Sequence, residues 1–122
     1  MAFLHKDLTY KIIGCAMEVH RELGPGFIES VYEAALFEEL KQQSLIFQSQ
    51  FPIQVIYKGK PIKGFLLDLV VGEQIVVELK AIKLLGDVER AQLLSYLKAS
   101  GKKVGLLINF GEASLKYERM VL

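Results

Sequence analysis

The chain is poor in the features that would assign it to a specialised class. It has one cysteine, Cys15, in 122 residues, so neither an internal disulfide nor a cysteine zinc cluster can form. That usage fits a reducing, cytoplasmic setting. No uncharged apolar run reaches the length of a membrane span. The opening MAFLHKDLTYKIIG lacks a basic segment followed by an apolar stretch, so no secretory signal is expected. Repeats, low-complexity tracts and linkers are missing too. There is little net charge: 15 Lys+Arg stand against 14 Asp+Glu, for +1, which argues against a strongly basic nucleic-acid coat protein.

What is present is a core. Apolar residues make up 52% of the chain and charged residues 24%, which excludes intrinsic disorder. The length suits one domain over residues 1–122. Charge is uneven along it. Residues 1–50 sum to about −3 and residues 51–122 to about +4. An anionic partner would meet the second half first, although ordinary surface charge also accounts for so small an asymmetry. The mean hydropathy of +0.30 is high for a small monomer, so part of the apolar surface is expected under a partner, with a homodimer as one form.

Periodicity predicts a helix over 6–23, with Ile12, Ile13, Ala16, Met17, His20 and Leu23 inward and Asp7 or Thr9 as cap. Gly24-Pro25-Gly26 ends it. A second helix is expected over 28–43, with Val31, Ala35, Leu36 and Leu40 inward. Residues 46–58 alternate as a half-buried strand, and Pro52 points to an edge or a bulge. Strands over 63–71 and 75–81, a helix over 87–100 capped by Asp87, a buried strand over 103–110 and a short strand over 115–121 complete the order α-α-β-β-β-α-β-β. This is an α/β (α+β) arrangement, a central mixed sheet flanked by helices.

The hairpin near residue 73 has a register that packing can decide. Phe65, Leu67, Leu69 and Val71 have one parity, as do Ile75, Val77 and Leu79, and all are apolar. A two-residue turn would set odd against even and mix this face with Asp68. A turn over 72–74 pairs Val71 with Ile75 and keeps the face apolar. It also sets Asp68 opposite Glu78, with Lys80 on the same side. Two facing carboxylates repel, and burial adds desolvation. A hard divalent cation, Mg²⁺ or Mn²⁺, would relieve both. The plainer reading has Lys80 neutralising Glu78 at an exposed sheet end.

Asp68 followed by Glu78-Leu79-Lys80 resembles the D…(D/E)-x-K signature of the PD-(D/E)XK nuclease superfamily. Gly26-Phe27-Ile28-Glu29-Ser30-Val31-Tyr32 reads G-x-x-E-x-x-Y and looks like the GxxExxY protein family, a branch of that superfamily. Gln92-x-x-x-Tyr96 is similar to the Q-x-x-x-Y element of its helicase-associated nucleases. The resemblance implies a restriction-endonuclease-like core and a metal-dependent deoxyribonuclease. It implies Asp68 and Glu78 as metal ligands, the Leu79 carbonyl as a third, and Glu29 as the helical acid that completes the site. Lys80 would be catalytic, and Gln92 and Tyr96 would contact the nucleic acid or support the site. The proline expected before the aspartate is Leu67 here.

Each residue also has a plainer reading. Glu29 would favour any helix start, Tyr32 fits a core as well as a site, and His20 is a packed residue or, by the resemblance, an upstream ligand. Cys15 reads as a small buried residue. Gly24 and Gly26 make no P-loop, because no Lys-Ser/Thr follows. The alternatives to a DNA nuclease are a silent nuclease-fold module that binds nucleic acid or protein, and a subunit that works only as a homo-oligomer.

Overall fold

The computed structural model describes residues 4–122. Its elements are α1 (Lys6–Leu23), α2 (Glu29–Gln42), β1 (Phe47–Tyr57), β2 (Lys60–Val71), β3 (Ile75–Lys80), α3 (Asp87–Ser100), β4 (Val104–Asn109) and β5 (Lys116–Val121). The five strands form one sheet in sequence order. All neighbours are antiparallel except β3 and β4, which are parallel because α3 crosses over between them. This is the expected element order and the α/β class of a restriction-endonuclease-like core.

Helices cover both faces, so β4 is buried at every position and β3 at every position but Lys80. That is why these strands read as unbroken apolar runs. On one face Ile12, Ala16 and Val19 of α1 and Tyr32, Leu36 and Leu40 of α2 pack on Leu69, Val71, Ile75, Val77 and Leu79. On the other, Leu93 and Leu97 of α3 pack on Leu67, Val70, Val76 and Leu107. Gly105 lets α3 approach: a Cβ there would lie 3.0 Å from Leu93. Arg90 near the start of α3 forks onto Glu118 of β5 at 2.7–2.9 Å, tying the crossover to the far edge.

The hairpin register is the expected one, with Val71 opposite Ile75 and Leu69 opposite Val77. The expected shared face is not continuous, however. Leu67 joins the α3 side while Leu69, two residues on, joins the α1/α2 side. An uninterrupted pleat would keep them together. The break is matched on β1, where Gln50 has φ 53° and pairing passes from Ser49↔Leu69 to Phe51↔Leu67 without a 50–68 pair. Phe47 accordingly packs beside Phe37, and Phe51 and Ile53 pack toward α3. Asp68 sits at this corner. β1 is an edge strand, as Pro52 suggested.

Other details depart from the periodic reading. The helix-flanking positions are His5 for α1, without a side-chain cap, and Gly86 for α3. Asp7 and Asp87 lie inside the first turns instead, and Glu89 caps α3 by accepting the Gly86 N–H at 2.7 Å. Met17 faces outward at 47% exposure, because the buried stripe of α1 runs through Thr9, Ile12, Ala16 and Val19. Cys15 is buried, and burial followed by the nearby Glu39 raises its thiol pKa.

The start of α2 is fixed by a buried tyrosine. Tyr32 stacks on Phe110 with centroids 4.6 Å apart, donates its hydroxyl proton to the Gly24 carbonyl and accepts the Phe27 N–H at 3.2 Å. One ring therefore locks the Gly24–Phe27 turn onto the core. Tyr32→Phe should keep the stacking and lose both bonds. It is expected to lower stability by about 1–3 kcal/mol in urea unfolding, with an unchanged m-value.

Candidate active site

The regular pairing of β2 and β3 stops at Leu69↔Val77. Beyond it, side chains take over from the ladder. Asp68 Oδ2 accepts the Leu79 N–H at 3.0 Å, and Glu78 Oε1 accepts the Asp68 N–H at 3.3 Å. Each carboxylate thus closes onto the opposite strand's backbone, which answers the need of two peptide donors for partners. Leu79 enters this arrangement through its N–H.

Burial and charge make the pair costly. Glu78 is 5% exposed. Desolvation, then the Asp68 carboxylate and a hydrogen bond with it, push its pKa up to about 8, against smaller opposing effects of the Asp68 N–H and Lys80. Lys80, half-buried at the end of β3, donates from Nζ to Gln92 Oε1 of α3 at 3.0 Å. Tyr96, one turn further along α3, has its phenol pKa raised by burial, then by Glu78 and Asp68.

α2 brings two more carboxyls to the same field. Partial burial and then Asp68 raise the pKa of Glu29, and Lys80 lowers it. Glu33 is raised by burial and then by Asp68. The expectation missed Glu33, although its i,i+4 spacing from Glu29 puts both on one helix face. Asp68 therefore acts on groups from both helical layers, as its corner position allows.

Asp68, Glu78, Lys80, Gln92 and Tyr96 come together, with Glu29 within electrostatic reach. Two other residues do different work. His20 is buried, and its Nε2–H donates to the Glu112 carbonyl at 2.9 Å, which removes that nitrogen from any ligand set. Its ring lies beside Phe110. Tyr32 is fully buried and supports the loop before Glu29. Among the described residues no group of three or more His, Cys, Asp or Glu side chains is disposed as a finished metal cage. The donors that fit a cation are the Asp68–Glu78 pair: hard oxygens, forced together, each with only one oxygen in these backbone bonds.

A family profile described as the PD-(D/E)XK nuclease superfamily matches residues 6–120. The chain belongs to the PD-(D/E)XK nuclease superfamily. No curated protein and no solved structure matches it. Members of this superfamily generally use divalent metals and act on nucleic acid, and a nuclease fold with opposed carboxylates beside a lysine agrees with that chemistry. No described helix is long and apolar enough to cross a membrane.

The raised pKa of Glu78 has a sign in stability. In the unfolded chain this carboxyl ionises near its ordinary 4.5; in the fold it holds its proton to about 8. Its favourable contribution is therefore complete below pH 4.5 and is lost as pH rises toward and through 8. Thermal unfolding in chelator should show a melting temperature that falls over this window. Glu78→Gln, neutral at every pH, should flatten the fall and melt higher than wild type at pH 8.5–9, an upper range set just above that pKa.

Proposed function

We propose that this chain is a nuclease of the GxxExxY branch that hydrolyses phosphodiester bonds in DNA with Mg²⁺ or Mn²⁺. The observation that carries the reading is the buried Glu78 held against the half-buried Asp68, each bonded to the other's strand, with the Lys80 ammonium near them. Asp68 and Glu78 would hold the cation, with the Leu79 carbonyl as a further donor and Glu29 contributing from α2. Bound there, a divalent cation would supply a lowered water pKa and polarisation of a phosphoryl oxygen.

The remaining work belongs to the chain's own groups. Both carboxyls must be ionised to act as ligands, so cation affinity rises with pH as Glu78 loses its proton. Asp68 and Glu78 are anchored to backbone N–H groups, so little reorganisation accompanies that change. Lys80 places positive charge where negative charge develops on the phosphoryl oxygens and orients the attacking water. Gln92 holds the Lys80 ammonium in place, and with Tyr96 it contacts the sugar-phosphate backbone.

The test is cleavage of labelled single-stranded, duplex and branched DNA with Mg²⁺, Mn²⁺ or chelator. Wild type should cut only with the cation. Asp68→Asn, Glu78→Gln and Lys80→Ala should each lose at least ~10²-fold in rate. Equal background from wild type and Lys80→Ala on all three substrates would overturn the enzyme reading and leave a silent nuclease-fold module.

A further inference from the structure

The outer half of the β1–β2 hairpin belongs to neither core. Every residue from Lys60 to Leu66 is exposed. Large apolar side chains are bared with them, including Ile56, Tyr57, Ile62 and Leu66 at 56–59% exposure. Where this arm passes α3 it forms a groove of about 380 Å³. Val55 and Phe65 line one wall; Tyr96, Lys98 and Ala99 line the other. The Phe65 and Tyr96 rings are tilted together, with centroids 5.8 Å apart.

The groove adjoins the candidate site through Tyr96. Tyr96 lines it, and Gln92, one turn back on the same face of α3, holds Lys80. The Tyr96 phenol also lies within the fields of Glu78 and Asp68. A molecule lying along the groove thus passes Tyr96, one helical turn from the Gln92 that holds Lys80.

Its rim is positive. Lys63 stands opposite Val55, and directly opposed residues share a face of the sheet, so Lys63 flanks the groove. Lys98 is on the other wall, and Lys58 and Lys60 form the hairpin tip. None of the four pairs with a carboxylate among the described residues. Between Glu39 and Asp68 the sequence holds no acidic residue. An apolar, ring-lined floor with a lysine rim matches an unpaired polynucleotide: base faces stack on the rings and phosphates meet the lysines. A duplex hides its base faces in its own stack and offers only phosphates to such a groove.

We infer that the substrate is single-stranded DNA, drawn along the hairpin with an unpaired base seated against Phe65 and Tyr96. This deepens the nuclease reading and rests on it for the chemistry beside the groove. Fluorescence anisotropy in chelator tests the groove alone, with a labelled strand of about 15 nucleotides and its blunt duplex as probes. The strand should bind at least ~10-fold tighter than the duplex. Phe65→Ala and Phe65→Leu should each weaken strand binding by about tenfold or more, while Phe65→Tyr retains it. The leucine variant keeps apolar volume, so it separates ring loss from misfolding, and its melting temperature should match wild type. Lys58→Gln, Lys60→Gln and Lys63→Gln combined should reduce the salt slope of strand binding by about 2.

Equal affinity for duplex and strand, or unchanged binding by both Phe65→Ala and Phe65→Leu, would overturn the inference. So would a homodimer, seen by sedimentation, that covers the hairpin and excludes the strand. Cleavage that survives such a result would leave the nuclease reading standing. Strand binding without cation-dependent cleavage would remove that reading and keep the groove.

Discussion

Where β2 and β3 part, two carboxylates stand in for the missing ladder, and the rest of the site is arranged around that substitution. Asp68 bonds the backbone of β3, and Glu78 bonds the backbone of β2. Peptide donors at the end of a buried hairpin need partners, so both side chains are held without help from any ligand. The same fixation leaves two acids facing each other in a poorly solvated place. For Glu78 the consequence is a carboxyl that resists ionisation up to about pH 8. Above that pH the ionised carboxyl is held in an unfavourable place, and the fold is less stable for it. A group that binds there and offsets the negative charge would relieve that cost.

The helices deliver the complementary groups, and each is positioned by apolar packing with no reference to chemistry. α3 is seated by Leu93 and Leu97, with Gly105 allowing close approach, and this puts Gln92 over Lys80. α2 is seated by Leu36 and Leu40, and its first turn is registered by Tyr32 on Gly24 and Phe27. Glu29 and Glu33 then come within the field of Asp68. A conserving exchange at Tyr32 would thus reach the site only through the angle at which α2 begins.

Much of this was legible in the residues because apolar parity is a strong signal in a sheet buried on both sides. Leu69, Val71, Ile75 and Val77 set the register of the hairpin, and with it the approach of Asp68 and Glu78 just past the last regular pair. The break in the pleat was not legible. Leu67 and Leu69 have the same parity and the same apolar character, and nothing local distinguishes a strand that turns over at residue 68 from one that continues. The signal lies on the neighbouring strand, in the left-handed Gln50, a residue type that gives little warning. Likewise Asp7 and Asp87 resemble helix caps in sequence, yet neither occupies the cap position. Glu33 was overlooked because the motif draws attention to Glu29 and Tyr32. His20 was ambiguous because a histidine packed against an aromatic ring and one bound to a cation share the same helical spacing.

The uneven charge of the two halves gains a physical meaning from the fold. Glu29 and Glu33 of α2 come from the negative half, and with Asp68 and Glu78 they make an acidic cluster that alone would repel a phosphate. The lysines that offset this come from the positive half: Lys80 near the cluster, and Lys58, Lys60, Lys63 and Lys98 along the hairpin and groove. Screening at physiological salt limits each exposed charge to about 8 Å, so attraction has to be supplied along the path and not from a distance. A short apolar groove with a basic rim does this, while Lys80 is held by Gln92 near the carboxylates. The same arrangement lets a chain with a net charge of only +1 gather several lysines on one hairpin and groove.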